Sequence, residues 1–327
     1  MKNETAAVVL FQLGGPDSLE AVEPFLYNLF CDPDIIDFPG AFLFRKFLAR
    51  LISSRRAPKA RELYKSIGGG SPILPQTLLQ AQSLQESLRS KGVSADVYVA
   101  MRYWHPMTTE VIERIRKSGV NKIVLLPLYP QYSKVTTGSS VNEWNRTIRA
   151  MKISGWSERR IESYCDHPMY IAALVENINR SIERVPPAER RNINLVFSAH
   201  GTPVKLVQQR DPYSHQIKKT YESVLAAGNF GLPHHLCYQS KIGPQRWLEP
   251  SLTQTIESLA SQKVSHVIVV PIAFVTEHIE TLSEINIEAR EEAIRLGISN
   301  FDMMPALIAS EKFISCLTDL VLQKLKD

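Results

Sequence analysis

Apolar positions along this chain fall into short continuous runs separated by longer stretches of helical periodicity. The run 267–270, Val-Ile-Val-Val, is β-branched and closed by Pro271, which predicts a strand buried on both faces whose ladder ends at the proline. An equivalent run at 123–126, Ile-Val-Leu-Leu, is closed by Pro127, and segment 119–128 resembles 263–272 almost position for position. The correspondence extends upstream. A strand at 7–11 runs into Gln12-Leu13-Gly14-Gly15-Pro16, and one at 195–197 runs into Ser198-Ala199-His200-Gly201-Thr202-Pro203. Further strand-like runs lie at 96–102 and 235–239, with helical segments at 19–30, 109–117 and 252–261. Strands alternating with helices at this spacing predict an α/β protein of two similar, Rossmann-like parallel-sheet halves joined by right-handed crossovers, with a cleft between them. The expected division is 1–165 and 166–327.

The polar positions after Pro271 carry a second pattern. With Thr276 as N-cap, Glu280, Glu284 and Glu288 recur at i, i+4 and i+8, so an α-helix would stack them in one acidic row pointing back to His278. Like charges at that spacing repel and need a counter-ion, shared protons or plain solvation. A solvated face is one reading. The other is a site, because the carboxyl edge of a parallel strand is where open α/β sheets place ligands. His200, in a Gly-Pro turn directly after a strand, is by the same logic either a structural histidine or a ligand or base.

Composition narrows the class without deciding it. The 327 residues are 44% hydrophobic and 22% charged, enough for two ordinary globular domains. Cys31, Cys165, Cys237 and Cys316 are scattered, with no C-x-x-C pair, which points to a reducing compartment and no zinc knuckle. The apolar start at 6–11 reads as a first strand and not a targeting signal, and no run reaches the roughly 18 apolar residues of a membrane span. The net charge of +5 is concentrated at 38–61, where Arg45, Lys46, Arg50, Arg55, Arg56, Lys59 and Arg61 mix with aromatic and aliphatic residues. Phe44, Phe47, Leu48 and Leu51 follow i, i+3, i+4, i+7, an amphipathic basic helix that either packs on its own domain or forms a lip (38–56) for anionic lipid or an acidic apolar ligand. No nucleic-acid motif accompanies it. Gly68-Gly69-Gly70-Ser71-Pro72 lacks the lysine of a phosphate-binding loop, and no G-x-S-x-G supports a hydrolase around Ser198. What remains is a metal. His200, His278, Glu280 and Glu284 are imidazole and carboxylate donors that suit Fe(II), Mn, Co or Zn, with no thiolate to hold the ion irreversibly.

These residues sit in motifs that resemble the ferrochelatase family: Leu13-Gly14-Gly15-Pro16, Ile67-Gly68-Gly69-Gly70-Ser71-Pro72, Met101-Arg102-Tyr103-Trp104-His105-Pro106, Tyr129-Pro130-Gln131-Tyr132-Ser133 with Thr136 to Ser140, Phe197-Ser198-Ala199-His200-Gly201, Asp211-Pro212-Tyr213, Gln239-Ser240-Lys241-Ile242-Gly243-Pro244 with Trp247, and Phe274 with His278-Ile279-Glu280-Thr281-Leu282-Ser283-Glu284. The resemblance spans nearly the whole chain. It implies a chelatase-type fold and a lyase of haem biosynthesis that inserts Fe(II) into protoporphyrin IX or coproporphyrin III. His200 and Glu280 would face the metal and ring centre, with His278 supporting, Glu284 continuing an acidic path and Phe274 in the catalytic set. Phe274, Tyr103 and Trp247 would bound the porphyrin faces, with Leu13 and Ser133 nearby and Arg56, Arg102 and the 136–140 loop meeting the propionates. Family members often carry a cysteine cluster near the C-terminus. Here only Cys316 lies nearby and Lys134 stands where such members can have a cysteine, so no iron–sulfur cluster is expected. The expected setting is cytoplasmic, from the cysteine usage, with peripheral contact to anionic membrane as one of the two readings of the lip. A cobalt or sirohydrochlorin chelatase and a non-catalytic haem carrier stay open as alternatives.

Overall fold

The computed structural model describes residues 5–35, 41–241 and 245–326. Two compact units emerge, Met1–Ser163 with Ile314–Asp327, and Tyr164–Phe313. The boundary differs from the expected 1–165 and 166–327 chiefly at the end of the chain: residues from Ile314 onward belong with the first unit, where the Thr318 hydroxyl bonds to Ser87 Oγ at 2.8 Å.

Each unit is built on one four-stranded parallel sheet. In the first, β1 (Ala6–Gln12), β2 (Ala95–Met101), β3 (Lys122–Pro127) and β4 (Ser157–Arg160) lie in the order β2-β1-β3-β4. In the second, β5 (Ile193–His200), β6 (His234–Gln239), β7 (His266–Pro271) and β8 (Asn300–Met303) lie in the order β6-β5-β7-β8. The two orders are the same, as the paired sequence runs predict. The central strands β1 and β7 are buried along their whole length, which is why they read as unbroken apolar runs with no alternation. Helices close the faces. In the second unit Leu252, Ile256 and Leu259 pack with Val196, Val267 and Val269, and Ile285 from the segment after β7 joins the same core. That contact ties the acidic segment to the sheet.

The basic helix departs from expectation. It runs Ala41–Ser66, ten residues past the expected lip, and its buried positions are Ala49, Ser53, Ala57 and Tyr64. The first three form an i, i+4, i+8 row of small side chains that permits close approach of the neighbouring Val22–Phe30 helix. The expected stripe is therefore not the packing face: Phe44 is 57% and Phe47 68% exposed, and Leu48 and Leu51 are half-buried. Two amphipathic rows coexist on this helix, and the small-residue row wins the interface because bulk at the contact would hold the helices apart. Residues 38–40 of the lip and the side chains of Phe42 and Leu43 lie outside the described residues, as do residues 242–244. Among the described residues no helix is long and apolar enough to cross a membrane.

Candidate active site

His200 is the last residue of β5, in register with Gln239 at the end of β6. Its ring Nδ1 lies 2.6 Å from the Gly201 carbonyl, which can only accept, so Nδ1 carries a proton and Nε2 is the outward atom. The Gly201 amide in turn donates to the Gln239 carbonyl at 2.7 Å. A β-carbon at 201 would lie 2.6 Å from that same oxygen, so the turn accepts only glycine. Strand end, glycine turn and ring orientation are thus one device.

Opposite stands the segment after β7. The α-helix expected from Thr276 does not form there. Thr276 is buried without capping, and the helix begins at Glu280 as a π-helix, Glu280–Ala289, before an α-helical turn at Arg290–Arg295. His278 takes over the capping role, its Nδ1 accepting from the amides of Glu280 at 3.2 Å and Thr281 at 3.3 Å. Its ring is buried and stands edge-on to Phe274, with centroids 4.4 Å apart. Glu277 braces the same turn, accepting from the Thr281 hydroxyl and, at 2.7 Å, from the Ala306 amide. His278 therefore supports the site as a neutral acceptor, while Glu280 projects its Oε1 to 3.5 Å from His200 Nε2.

The wider π-helical turn changes the acidic row. Glu284 is held by Ser240, whose amide and hydroxyl donate to its two carboxylate oxygens at 2.7 and 2.5 Å. Ser240 does so from φ +64°, a left-handed conformation that costs a residue with a β-carbon on the order of 1 kcal/mol. Glu288 is exposed and accepts from Ser283. The row becomes three distinct environments: an ion-paired carboxylate, a clasped one and a solvated one.

Electrostatics follow that geometry. Burial alone would pull the His200 imidazolium down, but the Glu280 charge and hydrogen bond, with the Gly201 carbonyl, raise it from 6.5 to about 9. Burial opposes ionisation of Glu280 too, yet His200 holds it from 4.5 down to about 2. His278 moves the other way, below 6.5, because burial dominates there. Glu284 is raised, chiefly by burial and by the Glu280 charge, against the Ser240 bonds. At neutral pH the metal-free site holds an imidazolium against a carboxylate. Among the described residues no group of three or more His, Cys, Asp or Glu side chains could form a closed metal cage.

The other expected contacts are placed less uniformly. Trp247 is buried, bridging to Pro203 beside the Gly201 turn. In the first unit Leu13 is half-buried, and its carbonyl accepts from the Tyr103 amide at 3.0 Å. Tyr103 is fully buried and donates to Asp32 at 2.6 Å, so it is a core residue and not an open wall. Arg102 is 2.9 Å from the same carboxylate, whose side chain is fully buried, and donates to Ser139 at 2.7 Å. Although burial opposes it, that arginine with Ser139 and Tyr103 keeps Asp32 below the usual carboxylate range. The charge of Arg102 is matched internally by Asp32. Ser133 is buried and caps the π-helical turn Lys134–Gly138. Arg56 is exposed, its guanidinium 5.6 Å from the centre of the Phe30 ring. Asp32, Gln239 and Ser240 were not singled out as site residues from sequence, and Ser139 entered only as part of the 136–140 loop. Only proximity in the motifs pointed to the last three, and nothing pointed to Asp32.

Two matching parallel sheets, one ending in a partly exposed imidazolium–carboxylate pair with an acidic continuation, define an α/β scaffold with a charged centre at one sheet edge. A sequence model of the family described as "Ferrochelatase" matches residues 5–325. The chain is 47% identical over 315 residues to the ferrochelatase of Aquifex aeolicus (strain VF5), covering 96% of this chain and 97% of that one. It is 44% identical to the ferrochelatase of Geobacter metallireducens, covering 98% of each. Among solved structures, SirB from Bacillus subtilis with Fe3+ shares the fold with a TM-score of 0.55 at 12% identity, over 98% of this chain and 95% of that one. The chain belongs to the ferrochelatase family.

The site has a measurable signature. Because the folded His200 value lies above 6.5, the stability it contributes is complete below that pH and is lost as pH climbs through about 9. Because the Glu280 value lies below 4.5, its contribution is present above 4.5 and lost as pH falls toward 2. The pair therefore holds hardest between 4.5 and 6.5. In an NMR titration of the metal-free protein the His200 ring should change charge near pH 9, and Glu280→Gln should bring that midpoint down toward 6.5 or beneath it. A wild-type midpoint at 6.5 would refute the pairing.

Proposed function

We infer that this protein is a lyase of haem synthesis that inserts Fe(II) into a porphyrin with release of two pyrrole protons. The observation that carries the reading is the His200–Glu280 pair, 3.5 Å apart at the strand edge with Glu284 clasped beyond it. A porphyrin ring is weakly acidic at its pyrrole nitrogens, so insertion needs both a place for iron to shed water and a base for the protons. Glu280 is an anionic oxygen donor suited to Fe(II). As the dication approaches, it cancels the field that holds the extra proton on His200. The imidazolium then releases that proton, and its Nε2 becomes free to act as donor or base toward the ring. Two weak protein donors capture iron without retaining it, which suits a substrate in transit.

Protons then need an exit. Glu284, raised by burial and by Glu280, takes up a proton closer to neutral pH than an ordinary carboxylate, and exposed Glu288 completes the route to solvent. Phe274, half-buried beside His278, supplies apolar surface for the macrocycle. The apolar character of this surface favours protoporphyrin IX over the more carboxylated coproporphyrin III, and disfavours a sirohydrochlorin substrate. A haem carrier would have no use for an acidic path. Anaerobic incubation with Fe(II) and each porphyrin, followed by absorbance, tests the assignment: metalation of protoporphyrin IX is expected, and haem binding without metalation would overturn it.

Cytoplasmic residence with peripheral contact to anionic lipid completes the reading. All four cysteines are free. On the Ala41–Ser66 helix, exposed Phe44 and Phe47 stand among exposed Lys46, Arg50, Arg55 and Arg56, an apolar surface ringed by cations.

Two outcomes are expected. His200→Ala and Glu280→Gln should each lower insertion by about 100-fold or more at any iron concentration, while Glu284→Gln should be milder and recover partly with added Fe(II) or small buffers. Equal defects in the two glutamate variants, or a worse defect at Glu284 without rescue, would show that no ordered path leads outward. The protein should also sediment with anionic vesicles at low salt and less at high salt, with Phe47→Ser weakening both; absence of binding at either salt would remove the lipid contact.

A further inference from the structure

The π-helix that carries Glu280 and Glu284 begins without a side-chain N-cap at Ile279. Something outside it must set the azimuth of its first turn relative to His200. His278 fixes the amide side of that turn. The carbonyl side is approached by Gln239, a buried residue at the carboxyl end of β6.

Gln239 has both ends committed. The Ser198 hydroxyl, buried on β5 two residues before His200, donates to Gln239 Oε1 at 2.8 Å. The far end of the amide faces the Glu280 carbonyl at 3.4 Å and Glu284 Oε2 at 3.5 Å. The Glu280 carbonyl can only accept, so the amide nitrogen must point toward it and the flip is decided by chemistry. The main chain of Gln239 meanwhile accepts from Gly201 and shapes the turn that orients the His200 ring. One residue therefore touches the histidine turn through its backbone and the acidic helix through its side chain. A neutral two-hydrogen donor is required at this place. A carboxylate would repel Glu284 and the Glu280 carbonyl, and an apolar side chain would leave Ser198 and the carbonyl unsatisfied in a buried setting.

We propose that Gln239, oriented by Ser198, is a positioning residue for metal capture: its amide holds Glu280 and Glu284 in register with His200, so that an arriving divalent cation meets preset donors. This rests on the reading of the site as a metal-insertion centre. In this role neither residue is itself a ligand of iron or porphyrin. Partners one step removed from a metal typically change its affinity by about 10–100-fold.

The test uses the intact chain. Co(II) binding is measured by calorimetry without porphyrin, and Michaelis constants for Fe(II) and porphyrin are measured separately in the insertion assay. Gln239→Met, close in volume but without hydrogen bonds, should weaken Co(II) binding by about tenfold or more and raise the Fe(II) constant in parallel, with the porphyrin constant unchanged. Ser198→Ala should move the same quantities in the same direction by less. The double variant should be no worse than Gln239→Met alone, because both act through one amide. Normal Co(II) affinity and Fe(II) constant in folded Gln239→Met or in Ser198→Ala would overturn the proposal, as would fully additive defects. The two readings fail separately: Co(II) affinity that depends on Gln239 in a protein that metalates no porphyrin would refute the insertion function and uphold the positioning role.

Discussion

The site depends on one interaction, the pairing of His200 with Glu280. Each side chain is about one-third exposed, yet each perturbs the other far from its ordinary ionisation, because the pair sits where two elements end and few other charges compete. β5 brings the imidazole to the sheet edge, the Gly201 turn aims it, and the Ile285 side chain in the core fixes the helix that carries the carboxylate. The pair is also unstable in a useful sense. On the proposed reading, a dication at Glu280 would remove the reason for the proton on His200, so that metal arrival and base activation would become one event.

The same sheet occurs twice, but the chemistry does not. At the strand ends of the first unit the charges are matched internally: Asp32, Arg102, Tyr103 and Ser139 satisfy one another in a buried network. In the second unit the corresponding edge is left with an outward Nε2 and two acids of unequal proton affinity. The duplicated scaffold thus carries an internally matched network in one copy and an unevenly charged edge in the other.

Much of the fold was legible because buried parallel strands are written as continuous apolar runs, and because the two halves repeat each other. β4 and β8 escaped for the converse reason. They are four-residue edge strands, Ser-Glu-Arg-Arg and Asn-Phe-Asp-Met, with too little apolar character to stand out. His200 was singled out by its place after a strand, and Glu280, Glu284 and His278 by the acidic row after β7; the structure brings His200 and Glu280 to 3.5 Å. The helix type was not legible, since i, i+4 spacing reads as α whether or not the turn is widened, and no residue in 280–289 announces a π-helix. Ser240 in a left-handed conformation and Gln239 with a decided amide are tertiary consequences, invisible to local pattern. The aromatic stripe at Phe44 and Phe47 was read as either a packing face or an exposed lip; the structure leaves it exposed, because the small-residue row beside it gives a weaker hydrophobic signal but a better helix contact.

The central claim is that metal capture expels a proton held by the His200–Glu280 pair. Calorimetric titration of the metal-free protein with Co(II) at neutral pH, repeated in buffers of different ionisation heat, measures proton release directly. The account predicts release of about one proton per ion bound, falling toward zero when the titration is repeated above pH 9 or with Glu280→Gln. Metal binding with no proton release at neutral pH, or release unchanged in Glu280→Gln, would contradict it.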